Sequence, residues 1–187
     1  MRVRRAVADD APAIASVYVA SWRHAFAGLV PQDYLDAMDP AGWTAVWGDA
    51  LGGTDWPRCG LFVLVDDPPG PGPGGPEVVR GFLYLSPTRD ADADPAAVAE
   101  IQRVYLAPEA MGGGGGVLLM EAALEELRLA GYRRVGLWVL GTNARARRFY
   151  ERLGWRADGA TKVNDWGSFA RTDVRYLLEL EAGSGPR

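Results

Sequence analysis

Five consecutive glycines, Gly112–Gly116, separate an apolar stretch ending at Leu106 from an apolar, helix-forming stretch that begins at Val117. Such a run can be a flexible linker, a tight turn, or the opening of a helix. In the third case the first amide N–H groups have no partner within the helix. They lie at its positive end and are open to close approach by a charged ligand. The flanks favour this third reading. Val98–Leu106 has strand composition, Pro108 supplies a turn, and the apolar spacing from Val117 to about Ala130 predicts a long helix closed by Gly131.

The rest of the chain alternates in the same way. Val3 and Val7 flank a first strand, and Asp9 and Asp10 are expected to cap a helix that runs to about Phe26, with Pro12 in its first turn. One or two short helices are expected between Gly28 and Pro57. Cys59–Val65 and Val78–Leu85 read as a hairpin, joined by the Pro- and Gly-rich segment from Asp66 to Pro76, which is expected to be an exposed loop of little order. Val135–Leu140 predicts a strand, Asn143–Leu153 a short helix ended by Gly154, and Val174–Leu180 a last strand. A hairpin followed by alternating strands and helices implies an α+β fold. Its central mixed, twisted β-sheet would be flanked by helices on both faces.

Composition narrows the function. A chain of 187 residues suits one domain with a real core. Its formal charge of −4 argues against nucleic-acid binding, which draws most of its affinity from basic surfaces. Cys59 and His24, each the single residue of its type, leave too few ligands for an ordinary metal site. Met1 leads straight into Arg2, Arg4 and Arg5 with no apolar run behind them, so neither a secretory signal nor a membrane span is expected and the protein should be cytoplasmic.

The ligand of the glycine run is not a dinucleotide by its fingerprint, because with Gly112 first the sixth position is Val117. Nor is the run a P-loop, since no Gly-Lys-Ser/Thr follows. Met111-Gly-Gly-Gly114-Gly-Gly116, after a strand and a proline turn, resembles instead the Gln/Arg-x-x-Gly-x-Gly/Ala signature of the GNAT superfamily of acetyltransferases. The segment Asn143-Ala-Arg-Ala-Arg-Arg-Phe149-Tyr150-Glu-Arg-Leu-Gly154-Trp155 is similar to the family's Asn-x-x-Ala-x-x-Phe-Tyr-x-x-x-Gly-Phe. Asp10–Ala15 and Ser21-Trp22-Arg23 through Phe26 and Gly28 extend the resemblance to the amino terminus. Met111 and Gly113 depart from it, standing where the family carries Gln or Arg and, often, Arg.

The resemblance implies a GNAT-like acyl-CoA N-acyltransferase fold with acetyl-CoA as cofactor. Met111, the glycines Gly112, Gly113, Gly114, Gly115 and Gly116, and Val117 would hold its pyrophosphate. The pantetheine arm would run like an added strand beside Val104, Tyr105 and Leu106, and Asn143 would hydrogen-bond coenzyme A. Tyr150 would be the general acid. Chemistry permits this role, because a phenol with pKa near 10 can protonate a thiolate whose acid has pKa near 8.5; the same residue can also be a core tyrosine. At about 100° per residue, Asn143, Arg147 and Tyr150 share one stripe of their helix, making Arg147 the candidate cofactor arginine, while Arg145, Arg148 and Arg152 read as a solvated face.

An attacking amine must lose a proton, and Glu100 is the candidate base, on the strand side shared with Gln102 and Val104; the alternative is an exposed residue at a strand start. Trp22, His24 and Phe26 fall in the segment that, by resemblance, lines the acceptor pocket, although a lone histidine near aromatics also fits a structural role. Trp138 is either core or pocket. Gly28–Pro57 and Asp158–Arg175, with Trp166 and Phe169, are expected as loops that shape the acceptor site. The expected activity is acetyl transfer from acetyl-CoA to a primary amine, a small molecule or a protein N-terminus, without a metal, nucleic acid or membrane. It would belong to a single domain over 1–182 with a tail at 183–187, as a monomer or homodimer. The alternative is an acyl-CoA-binding sensor or partner-binding module of the same fold that does no transfer.

Overall fold

The computed structural model describes residues 1–66, 77–165 and 169–180. Its elements are β1 (Arg2–Arg5), α1 (Ala11–Ala25), α2 (Gln32–Asp36), α3 (Pro40–Gly52), β2 (Gly60–Val65), β3 (Val79–Pro87), β4 (Val98–Leu106), α4 (Gly115–Leu129), β5 (Arg134–Leu140), α5 (Ala144–Arg152), β6 (Arg156–Asp165) and β7 (Ala170–Glu179). The strands form one seven-stranded sheet in the order β1-β2-β3-β4-β5-β7-β6. Among the described residues only β4 and β5 pair in parallel, so the sheet is mixed, as expected. Among the described residues no helix is long and apolar enough to cross a membrane.

Helices cover both faces, which is why β2 is buried at every position although strand side chains alternate. Val63 and Val65 face a cluster with Tyr18, Trp22 and Trp47 from α1 and α3. Phe62 and Leu64 face a second cluster with Leu119, Met120 and Leu127 of α4 and Tyr150 of α5. Each fully buried aliphatic or aromatic side chain contributes about 1.5–3 kcal/mol, so the two clusters hold the layers together.

Two irregularities of β4 position everything that follows. Its parallel ladder with β5 runs from Val98↔Arg134 to Ile101↔Leu137 and stops there. Beyond that point Val104, Tyr105 and Leu106 pair only with Leu83, Phe82 and Gly81 on the β3 side, leaving a seam open toward β5. A β-bulge also intervenes, because Leu85 pairs with Ile101 but Tyr84 with Arg103, so Gln102 is the extra residue. Ala99 and Ile101 before the bulge and Val104 and Leu106 after it all pack on the α4 face. The shared face predicted for Glu100, Gln102 and Val104 is therefore corrected: Glu100, paired with Ser86, lies on the α1 face, and the bulge turns Val104 to the other one.

Other expectations need amendment. Asp10 stands at the N-cap of α1, but its carboxylate makes no cap bond. It accepts from Arg4 at 2.7 and 2.9 Å and from the Val7 amide at 2.8 Å, tying β1 to the helix start. Helix α4 begins at Gly115 rather than Val117, the first residues bonding back being Val117 and Leu118, both to the Gly114 carbonyl. Much of the stretch read as a loop over 158–175 is strand: β6 forms the sheet edge and β7 begins at Ala170. The proposed loop residues 67–76, Trp166 and the tail at 183–187 lie outside the described residues.

Gly114 is the N-cap of α4 with φ +83°, a conformation that costs a residue with a Cβ roughly 1–2 kcal/mol. Gly113 has no such constraint, and a methyl group there would meet nothing nearer than Met1 Cε at 3.6 Å. Gly114→Ala should therefore lower the urea midpoint by an amount worth about 1–2 kcal/mol, whereas Gly113→Ala should change stability by less than ~0.5 kcal/mol or raise it. Equal losses in the two variants would contradict this account of the loop.

Candidate functional site

The open seam leads into a cavity of about 720 Å³. On one side it is lined from α1 and the residues after it, including Ser21, His24, Phe26 and Leu29. On the other it is lined by Met111, Gly112, Gly114, Gly116 and Val117 at the start of α4 and by residues of α5. The strand segments Ile101–Leu106 and Leu137–Leu140 form its waist. Because α1 and α4 cover opposite faces, the cavity passes through the sheet where β4 and β5 have parted.

The α4 end is built by close packing. A Cβ on Gly115 would stand 2.4 Å from Leu64 Cδ2, and one on Gly116 would stand 3.3 Å from Phe149 Cζ, so these glycines let the helix start sit tight against β2 and α5. Gly113 and Gly115 are absent from the wall itself. The amides of this first turn are those a helix leaves without internal acceptors, at its positive pole.

Helix α5 is turned differently from the predicted stripe. Arg145, Phe149 and Arg152, spaced at four and three residues, line the cavity, and Arg147 does not. Arg147 Nε donates to the Tyr176 hydroxyl at 3.1 Å and its Nη1 to the Gly141 carbonyl at 3.1 Å, while Tyr176 donates to Glu151 at 2.7 Å, so Arg147 fastens the helix to β7. Arg145 and Arg152, read from the sequence as solvated, are the two arginines of α5 on the wall. Asn143 also lines the cavity and caps α5, its Oδ1 accepting from the Ala146 amide at 3.1 Å.

Tyr150 is 8 % exposed, packs near Phe149, Trp155 and Tyr176, and lines the cavity. Burial, with a smaller contribution from Tyr105, raises its pKa well above the usual tyrosine range, so the phenol keeps its proton. It thus belongs both to the core and to the wall.

On the α1 face, Glu100 is 4 % exposed and not an exposed strand start. Its carboxylate accepts from the Arg89 amide at 3.3 Å, with the Arg89 guanidinium 3.9 Å away. It stands behind the wall rather than on it, next to Gln102, which lines the cavity and whose Nε2 donates to Ser86 at 2.9 Å. Trp138 is half-buried on the wall, its indole N–H donating to Asp90 at 3.1 Å and Lys162 Nζ lying 4.1 Å above its ring. His24 is exposed and lines the cavity together with buried Phe26. Trp22 lies beneath them, 1 % exposed, its ring centroid 4.4 Å from that of Phe26. Phe169 packs on Tyr34, ring centroids 5.1 Å apart.

Two further arginines, Arg103 and Arg171, stand on the wall without a marker in the sequence. The signal for Arg103 lay in a strand bulge that composition does not mark. Arg171 lies on β7, in a stretch read as loop.

Residues 25–155 match the model of the acetyltransferase (GNAT) family. An uncharacterized N-acetyltransferase of Archaeoglobus fulgidus is 33% identical over 150 residues, covering 80% of this chain and 89% of that protein. Among solved structures, the PaiA N-acetyltransferase of Thermoplasma acidophilum in complex with coenzyme A superposes with a TM-score of 0.73 at 18% identity, over 95% of this chain and 98% of that one. The structure of yncA from Salmonella typhimurium with acetyl-CoA superposes with a TM-score of 0.66 at 22% identity, over 100% and 98%. With seven strands in this order, a glycine-opened helix at the parted strands and a matching family model over most of its length, the chain belongs to the GNAT family of acetyltransferases.

Proposed function

We propose that the protein transfers the acetyl group of acetyl-CoA directly to a primary amine, a small molecule or a protein N-terminus, within a single domain spanning residues 1–182. The observation that carries this reading is Tyr150, a buried, protonated phenol on the wall of a cavity that opens where two strands part. A binding module needs the cavity but has no use for a proton donor held there.

The residues present fit the cofactor. An elongated ligand with a charged pyrophosphate needs amide donors, cationic side chains and a channel for its arm. The amides at the glycine-opened start of α4, the guanidinium groups of Arg145 and Arg152, and the edge at Val104–Leu106 offer these in turn. Met111 contributes packing and no charge, so the backbone and the α5 arginines carry the anion binding. Asn143 keeps its Nδ2 donors for coenzyme A while Oδ1 caps the helix. When bound, acetyl-CoA supplies an acetyl group activated as a thioester.

Tyr150 donates its hydroxyl proton to the sulfur that leaves. The opposite proton transfer falls to Glu100, which receives the proton of the incoming amine through solvent beside Gln102, since its carboxylate lies behind the wall. Both groups flank the seam from opposite faces of the sheet, Tyr150 on the α4 side and Glu100 on the α1 side.

Calorimetric titration with acetyl-CoA, ATP and NAD, followed by thiol-release assays on an amine panel, tests the reading. Selective acetyl-CoA binding with amine-dependent release supports it, and binding without release favours the sensor. Tyr150→Phe should lower kcat about 100-fold or more, the lower range for general-acid contributions, with coenzyme A affinity nearly unchanged. Asn143→Ala should weaken coenzyme A binding and, by removing the cap, cost about 1 kcal/mol of stability in a thermal melt, whereas Asn143→Ser should recover the stability but not the affinity. Glu100→Gln should give a rate defect that shrinks as pH rises toward 10, because the neutral fraction of an alkylamine grows roughly tenfold per pH unit below its pKa. A defect of constant size across pH would remove Glu100 as the base.

A further inference from the structure

We infer that the acceptor is a small amine that also carries a carboxylate, as an amino acid does, and that Arg103 and Arg171 receive that carboxylate on the α1 side of the cavity. The inference rests on the cavity being the transfer site. It starts from charge. The chain has more acidic than basic residues, 24 against 20, yet among the described residues the cavity wall carries four arginines and no Asp or Glu.

The four arginines fall into two pairs on opposite faces of the sheet. Arg145 and Arg152 project from α5, beside the glycine-opened start of α4, and are accounted for by the phosphates of coenzyme A. Arg103 and Arg171 belong to the other face. The bulge in β4 places Arg103 opposite Tyr84, on the α1 side, and Arg171 on β7 lies with its guanidinium carbon 5.7 Å from the Trp22 ring centroid. Their charges act on the same tyrosines: burial raises the pKa of Tyr105, and both arginines pull against that rise, as they do at Tyr18. Both therefore line the α1 side of one cavity, and the phosphates on the far side of the sheet do not explain them.

Arg103 has donors to spare for a ligand. Arg103 Nη1 donates to the Gln102 carbonyl at 2.6 Å, and among the described residues no carboxylate pairs with this side chain. A guanidinium has five N–H donors in a fixed plane suited to a carboxylate. Arg171 is braced differently. Its Nη2 donates to Asp173 at 3.1 Å, and Asp173, 1 % exposed, also accepts from Asn164 at 2.7 Å, so the arginine is held in one orientation while still reaching the wall. An acceptor carrying a second ammonium, such as a polyamine, would meet the like charge of Arg103 here. A neutral amine would cover Arg103 without pairing its charge, at a desolvation cost. A carboxylate relieves both problems and fixes the amine end toward the seam.

The test is thiol release by the full chain with the twenty common L-amino acids, each beside its carboxamide, and with spermidine and tyramine as amines lacking a carboxylate. The expected result is turnover of at least one amino acid, with kcat/KM about a hundredfold lower for its carboxamide. Arg103→Gln should raise KM for that amino acid about ten- to a hundredfold, the size of one or two charge-assisted hydrogen bonds, with a smaller change in kcat and little change for the carboxamide. Arg171→Lys, which keeps the charge beside Asp173, should raise KM without loss of folding, as judged by an unchanged acetyl-CoA affinity. Carboxamides or plain amines acetylated as well as the acids, or an Arg103→Gln enzyme with unaltered KM, would overturn the inference while leaving the transferase reading in place. No release with any amine of the panel counts against both.

Discussion

The short parallel ladder between β4 and β5 is the constraint on which the rest depends. It closes the sheet from Val98↔Arg134 to Ile101↔Leu137 and then ends, so one continuous sheet contains an opening through its middle. Unpaired strand edges inside a protein need partners for their amide and carbonyl groups, and a ligand with peptide-like linkages is a natural one. The same opening connects the layer of α1, α2 and α3 with the layer of α4 and α5. Two reactants can therefore approach one point from opposite faces without sharing an entrance.

What borders the opening follows from two local devices. The bulge at Gln102 adds Arg103 to Glu100 and Gln102 on the α1 face and returns Val104 and Leu106 to the α4 core, concentrating polar chemistry on one side. On the other side, Gly115 and Gly116 bring the start of α4 against Leu64 and Phe149. Phe149 sits between Arg145 and Arg152 on α5, so the contact that positions the glycines also aims the arginines at the cavity. Arg147 on the far side of α5 grips Gly141 and Tyr176 and fixes the helix rotation from behind.

The architecture was largely legible because its signals are local. Branched residues in Gly60–Val65 and Val98–Leu106, the glycine-opened helix and the Asn143 cap each specify one element within a few residues. The misreadings arise where tertiary context decides. Asp10 has the composition of a cap, but Arg4 from a neighbouring strand takes its carboxylate. Strand alternation placed Glu100 with Val104, which holds only for an unbroken ladder. A helical wheel gives the spacing of α5 but not its rotation, so the stripe of Arg147 was legible and its direction was not. Strand β6 escaped because its polar sequence lacks an apolar alternation, its inward positions Ala160, Lys162 and Asn164 being only half-buried at the sheet edge.

That edge has a bearing on how the molecule behaves in a crowded solution. A terminal strand offers unpaired backbone groups to any other chain, and β6 is ten residues long. Its register with β7 breaks between Ala157 and Thr161, around Gly159 at φ +92°, so the exposed edge is not a straight template. Asp158, Lys162 and Asp165 add charge along it. A second chain adding to this strand would have to follow the kink and bury those charges, so the irregularity protects the sheet against growth by strand addition.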